Sequence, residues 1–199
     1  MNTERNIEPN SWSEETSRTF INYGQYIVPQ RDYQMQVIAT LLSRLNDSNA
    51  ILEICCGEGL LAEVLLDKFP AITVQGLDGS VEMLQRARER LARFGDRFRS
   101  DIFDLASAAW RKPGFKINAV VSSMAIHHLT GPQKQELFMD VNRLLMPNGV
   151  FIIADIVEHP SDMGKHLAAE TLDEVVRERA LELDGNTTAF EFFRKEGWN

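Results

Sequence analysis

A chain of 199 residues, 44% hydrophobic and 25% charged, is sized for one ordinary domain with a single substantial core. Its formal charge of −8 argues against the Lys/Arg surplus that a broad nucleic-acid footprint requires. The longest apolar runs are strand-sized and too short for a bilayer, and the polar start Met1-Asn2-Thr3-Glu4-Arg5-Asn6 carries no secretory signal, so a cytoplasmic protein without membrane partners is expected.

In chain order, Ser11 to Val28 mixes polar and aromatic residues, with Ser13 before Glu14, Glu15 and Thr16 as a helix start. Pro29 interrupts it. Arg31 to Leu45 predicts a second helix with Met35, Ile38, Leu41, Leu42 and Leu45 on one side, ending in the turn Asn46-Asp47-Ser48-Asn49. Strands are then predicted at 50–55, 72–77, 97–102, 117–123 and 150–157. The intervening helices cover 60–69, 81–94 (capped by Ser80) and 132–145 (capped by Thr130 or Gly131, with Pro132 in its first turn). Met146-Pro147-Asn148-Gly149 reads as a turn. Ser161 to Leu183 reads as a long amphipathic helix carrying Leu167, Leu172, Val175, Val176 and Leu183.

Regular strand–helix alternation means βαβ units and a mainly parallel, doubly wound α/β sheet of Rossmann-like kind, with helices on both faces. Unalternated runs such as Val120-Val121 and Phe151-Ile152-Ile153 suit strands buried on both sides. The single domain divides into an N-terminal helical lid (1–46), a core (50–157) and a C-terminal helical segment (158–199). The arginines at 86, 88, 90, 93, 97 and 99 read as a solvated face paired with Glu82 and Glu89. Cys55 and Cys56, adjacent and without ligand-spaced companions, read as reduced, buried thiols rather than a disulfide or zinc site.

Ligands in such sheets bind beyond the carboxyl ends of the strands. Gly57-Glu58-Gly59-Leu60-Leu61-Ala62 satisfies GxGxxG/A, with Asp78 about the expected distance downstream. Glycines allow close backbone approach, and an acid ending the next strand can accept from ribose hydroxyls. That alone leaves a nicotinamide dinucleotide and S-adenosylmethionine nearly level. Glu53 separates them: a carboxylate four residues before Gly57 suits an ammonium and a sulfonium, and would repel a pyrophosphate.

Ile51-Leu52-Glu53-Ile54-Cys55-Cys56-Gly57-Glu58-Gly59 resembles the first motif of the class I S-adenosylmethionine-dependent methyltransferases. Gly76-Leu77-Asp78-Gly79-Ser80 with Met83 resembles their second, Ser100-Asp101-Ile102 the third, and Asn118 through Leu129 the fourth. Leu144 to Val150 resembles the turn into the fifth strand. The likeness covers about Ala50 to Val157 and is greatest to small-molecule enzymes of the ubiquinone/menaquinone type. It implies S-adenosylmethionine as cofactor and S-adenosylhomocysteine as product. By the same resemblance Glu53, Gly57 and Gly59 line the methionine and ribose, Asp78 takes the ribose hydroxyls, and Met83 packs on the adenine. Asp101 accepts from the adenine amino group beside Ile102, and the backbone at Ser122 or Ser123 faces the ammonium. In similar small-molecule enzymes the N-terminal segment folds over the cofactor. By that analogy Arg31 pairs with the cofactor carboxylate, and Tyr23 or Tyr26 touches the sulfonium region.

Methyl transfer is an in-line displacement in which orientation supplies on the order of 7–11 kcal/mol in well-aligned systems. It requires no metal. For a protic acceptor a base is needed, and the paired imidazoles of His127 and His128 are the weak candidates. Ser122-Ser123-Met124-Ala125 lacks the Pro-Pro-aromatic stretch of nucleic-acid amino-methyltransferases, so a small-molecule acceptor is expected. The class I fold ends in an antiparallel hairpin for which Asp184 to Asn199 is too short. A truncated chain with an open sheet edge is therefore expected, covered by a homodimer through the aromatic segment Phe190–Trp198. A non-catalytic binder of the same cofactor and an oxidoreductase using a nicotinamide dinucleotide are the alternatives.

Overall fold

The structure, a computed structural model, describes residues 13–28, 30–43, 50–111 and 117–196. The expected roles of Ser11, Leu45, the Asn46–Asn49 turn and Trp198 fall outside them. Helices α1 (Glu14–Ile27) and α2 (Arg31–Leu42) precede β1 (Ala50–Ile54), α3 (Leu60–Lys68), β2 (Thr73–Asp78), α4 (Val81–Leu91) and β3 (Phe98–Ile102). There follow β4 (Ile117–Ser123), α5 (Gly131–Leu144), β5 (Leu145–Ala154), α6 (Asp162–Asp184) and α7 (Thr188–Glu196). The five strands form one parallel sheet in the order β3-β2-β1-β4-β5. The doubly wound α/β expectation holds. No described helix is long and apolar enough to cross a membrane.

Local chemistry sets the helix starts. Ser13, Ser80 and Ser161 each accept a backbone N–H of their own helix's first turn. Thr130 and Gln133 form a capping box ahead of α5, with Pro132 in its first turn. The faces of the sheet follow from strand alternation, except that the irregularity between Ile117 and Ala119 puts Ile117 on the opposite face. Ile51, Val74, Ala119 and Val121 pack with α2, α3 and α4, while Leu52, Ile54, Val120 and Ile117 pack with Leu137, Val141 and Leu144 of α5. Leu65 and Leu66 of α3 are fully buried, each stabilising the fold by about 1.5–3 kcal/mol. Glu53 shares the α2–α4 face with Ile51, which sends its carboxylate toward the start of α3.

Several sequence expectations are corrected. β5 begins at Leu145 rather than Val150 and ends at Ala154 rather than Val157. Pairing with β4 continues through the Met146–Gly149 turn by a register shift, with Asn148 in the left-handed region (φ 65°). Leu41, Leu167 and Leu183 are exposed; the expected Met35, Ile38 and Leu42, joined by Ala39, hold the buried face of α2, and the expected Val176, joined by Ala180, that of α6. The aromatic C-terminal segment forms α7. Its Phe193, with Ala189 and the half-buried Phe190 and Phe192, packs on Tyr23 and Tyr26 of α1 and on Val176 and Ala180 of α6. Among the described residues no antiparallel strand follows α6, and β5 is an edge strand.

Candidate functional site

The carboxyl ends of β1, β2 and β4 converge on the glycine turn. Cys55 (φ 56°), Gly57 (φ 53°) and Gly59 (φ 81°) follow β1 in the left-handed region, and Met124 (φ 55°) follows β4. For the two non-glycine residues this conformation costs about 1–2 kcal/mol each, and it falls on neighbouring strand ends where ligands of such sheets bind. Gly59 permits close helix contact. A Cβ there would lie 2.8 Å from Leu91 Cδ1 and 3.2 Å from Ala87 Cβ on α4. Gly57 is different, since a Cβ there would meet only Met83 Sδ, at 3.8 Å.

Two acids serve the turn. Asp78 Oδ2 accepts the Gly57 N–H at 2.8 Å and Oδ1 accepts the Ser80 N–H at 2.9 Å. Burial raises the Asp78 carboxyl, against the pull of the Ser80, Gly57 and Gly79 N–H groups. Glu53 is 3% exposed, and its Oε2 has no hydrogen-bond partner. Burial first, then the Asp78 charge, push its carboxyl up to about 8; Arg31 and the Ala62 N–H pull the other way. A buried, unpartnered carboxylate oxygen is costly, and beside a glycine turn it fits a cationic ligand group. Arg31, half-buried on α2, is lowered by burial while Glu58 and Glu53 hold it up; its guanidinium lies 5.2 Å from the Phe20 ring centroid.

Of the sequence-proposed residues, Glu53, Gly57, Gly59, Asp78 and Met83 come together here. Met83 is buried. Asp101 and Ile102 end the next strand; Asp101 accepts from Gln75 Nε2 at 2.9 Å, and Ile102 presents an apolar side chain, 56% exposed, to solvent. Ser122 is buried and its hydroxyl donates to the Ile54 carbonyl at 3.0 Å, tying β4 to β1; Ser123 is half-buried at the end of β4. Tyr23 and Tyr26 belong to the lid's own packing. Tyr23 stacks on Phe192, 4.4 Å between ring centroids, and the Tyr26 hydroxyl donates to Asp184 at 2.8 Å.

Two contributors escaped the sequence reading, and the partners of one charged face were misassigned. Glu14 of α1 accepts from the Val81 N–H and the Ser80 hydroxyl, both at 2.8 Å, so the lid is fastened to the first turn of α4. Asp155, just past β5, binds the His127 ring and backbone. Arg90 joins Glu58 and Glu63, and Arg93 joins Glu63 and Asp67. The arginine face therefore pairs mainly across to α3 and its preceding turn, while Glu82 takes Arg18 and, at 3.9 Å, Arg86. An acid at a strand end was the available sign for Asp155. Glu14 had none, because its partner lies 66 residues away.

A parallel 3-2-1-4-5 sheet with a glycine turn and two acids at its carboxyl edge defines a Rossmann-like methyltransferase domain. A family model described as a methyltransferase domain matches residues 51–149, and the chain belongs to the class I S-adenosylmethionine-dependent methyltransferases. An uncharacterized methyltransferase of Geobacillus kaustophilus is 28% identical over 145 residues, covering 72% of this chain and 63% of its own length. One from Geobacillus sp. (strain WCH70) is 28% identical over 190 residues, covering 90% and 78%. The chain spans 63% and 51% of the first two curated relatives it matches. Among solved structures, phosphoethanolamine N-methyltransferase 2 of Haemonchus contortus in complex with S-adenosyl-L-methionine superposes with a TM-score of 0.62 at 20% identity, over 87% of this chain and 43% of that one. The PH0226 protein of Pyrococcus horikoshii gives 0.58 at 19% identity, over 81% and 72%. These two show the shared fold.

Proposed function

We propose that the protein transfers a methyl group from S-adenosylmethionine to a small-molecule acceptor. The observation that carries this reading is the unpartnered, buried Glu53 oxygen beside the left-handed Gly57–Gly59 turn. Bound there, the cofactor would supply a methyl group already activated by a positive sulfur. Glu53 would take the ammonium and Arg31 the carboxylate. Asp78 would use the lone pairs left by Gly57 and Ser80 for the ribose hydroxyls, Ile102 would flank the adenine with Met83 beneath, and Asp101 would receive the adenine amino group. The chain's work is orientation and exclusion of water, with α1 and α2 as the cover.

The same reading makes the protein cytosolic, with both thiols reduced and held neutral by burial. Its net charge of −8 favours a small molecule over a nucleic acid as partner. Since Phe190, Phe192 and Phe193 turn inward onto α1 and α6, the open edge of β5 is the surface left for a homodimer; light scattering giving a clean monomer sinks that part. Calorimetry with S-adenosylhomocysteine tests the donor site: micromolar binding, lost in Asp78→Ala, is expected, while binding of NADH alone overturns it. Transfer of labelled methyl to a metabolite extract tests turnover, and cofactor binding without transfer would leave a non-catalytic binder.

A further inference from the structure

A preassembled polar group lies at the ends of β4 and β5. Asp155, the first residue after β5, is clamped by three hydrogen bonds. Its Oδ2 accepts the His127 backbone N–H at 3.0 Å, its Oδ1 accepts the Ile156 N–H at 2.8 Å, and Oδ1 lies 2.6 Å from His127 Nδ1. The Asp155 side chain is largely buried and that of His127 about a quarter exposed. The pair sits where β4 and β5 end side by side, joined by the Met124 N–H donating to the Ala154 carbonyl at 2.8 Å. Asp155 is also close enough to the glycine turn for its charge to raise the Cys55 thiol. The dyad and the glycine turn therefore lie at the same edge of the sheet, at the ends of β4 and β5 and of the adjoining β1.

We propose that Asp155 is a positioning residue: it fixes the proton of neutral His127 on Nδ1 and leaves Nε2 as a free base beside the donor turn. The proposal rests on the methyltransferase reading and narrows the acceptor to a hydroxyl or an ammonium, groups that must lose a proton. A carboxylate acceptor attacks as the anion, without proton loss, and gives this dyad no task.

Three points support it. A carboxylate can only accept, so a 2.6 Å contact to Nδ1 requires the hydrogen on that nitrogen. Among the described residues Nε2 takes no hydrogen bond, so its lone pair is uncommitted. The hydrogen bond from the His127 ring, with the Ile156 and His127 backbone N–H groups, holds the Asp155 carboxyl below its usual range despite burial, so the partner stays ionised. His128, its ring 4.1 Å from that of His127, is lowered by burial and by its neighbour and so stays neutral. An ammonium first gives its proton to His127 Nε2, which frees its lone pair, whereas a hydroxyl attacks with its own. In the transfer step that lone pair forms the new bond to the methyl carbon as the carbon–sulfur bond breaks, its electrons remaining on sulfur. The acceptor's proton passes to His127 Nε2, and the imidazolium is balanced by Asp155.

The test uses the full chain with 15N-labelled histidine and long-range 1H–15N correlation at pH 8. Wild-type His127 is expected with a protonated Nδ1 and a pyridine-type Nε2. Asp155→Ala is expected to return it to the Nε2–H tautomer that predominates in free imidazole. If that variant fails to fold, Asp155→Asn serves, since its amide oxygen can still accept from Nδ1; it should keep the tautomer, and loss of that tautomer in folded Asp155→Asn overturns the positioning role. A wild-type His127 protonated on Nε2, or a folded Asp155→Ala with an unchanged tautomer, overturns the positioning role. In the labelled extract a methyl ether or N-methylamine supports the acceptor class, and a methyl ester overturns it. Calorimetry with S-adenosylhomocysteine on the same samples separates the two readings: absent binding sinks the methyltransferase proposal, whatever the tautomer.

Discussion

The Gly57 N–H donates to Asp78 Oδ2 across 2.8 Å, so the acid ending β2 props the turn that follows β1. Since Oδ1 also takes the Ser80 N–H, one buried carboxylate braces both the turn after β1 and the loop into α4. Asp78→Ala leaves both donors without their acceptor and is expected to lower stability by about 1–3 kcal/mol, read by urea unfolding. It should weaken S-adenosylhomocysteine by more than about tenfold, since the loss of one bidentate partner exceeds 1.4 kcal/mol. Unchanged affinity in a folded Asp78→Ala would remove the acid from the site.

Glu53 sets a pH dependence. Its carboxyl ionises near 8 in the folded chain and near 4.5 when unfolded, so the unfolded state gives up its proton first. The stability gained by burying the neutral acid is complete below pH 4.5 and lost as the pH rises through 8. Glu53→Gln removes this loss. The variant's stability relative to wild type should rise between pH 5 and 8 by an amount on the order of a few kcal/mol, measured without cofactor. The same variant should bind S-adenosylhomocysteine more weakly. Parallel pH–stability curves would show that Glu53 is ionised throughout.

The two glycines of the turn should respond differently. Gly59→Ala meets Leu91 and Ala87 as well as a positive φ, so a loss of about 2–4 kcal/mol is expected. Ala87→Gly in the same chain should recover only part, because Leu91 remains. Gly57→Ala meets no close contact and should cost about 1–2 kcal/mol from its backbone alone. If the cofactor runs against this backbone, Gly57→Ala should lower its affinity far more than stability. Equal losses at both positions would argue that the turn serves packing only.

Glu14 is expected to act as a latch. Its carboxylate caps α4 from another helix, an interaction of about 0.3–1 kcal/mol at a helix N-terminus. Glu14→Gln should raise hydrogen exchange along α1 by about two- to fivefold and leave β1 unaffected. The Ser80 hydroxyl and Val81 N–H hold this carboxyl below 4.5, so the latch is present at neutral pH and is lost as the pH falls below that range. Exchange in α1 that ignores the substitution would mean the aromatic contacts alone hold the lid.

The sheet and the donor turn were legible because they are written locally. Apolar runs such as Val120-Val121, the Gly57–Gly59 spacing and an acid inside a strand each carry meaning within a few residues. Asp155 and Glu14 were not legible, because their roles arise from contacts 28 and 66 residues away. The start of β5 was misread for a related reason. Pro147, Asn148 and Gly149 mark a turn, and only pairing with β4 shows that the ladder continues past it. Tyr23 and Tyr26 carried an aromatic signal that could not say which surface they cover. Phe192, Phe193 and Asp184 claim them in the fold.

That last contact has an architectural meaning. Helices α6 and α7 close their core against α1, through Tyr26, Val176, Ala180 and Phe193, rather than against the sheet. Helices α1, α6 and α7 thus build a separate cluster, fastened to the start of α4 through Glu14 and Arg18. Changes of length or sequence in α6 and α7 therefore bear on this cluster while the sheet's own two cores stay as they are. A scaffold divided in this way can vary one module and inherit the other.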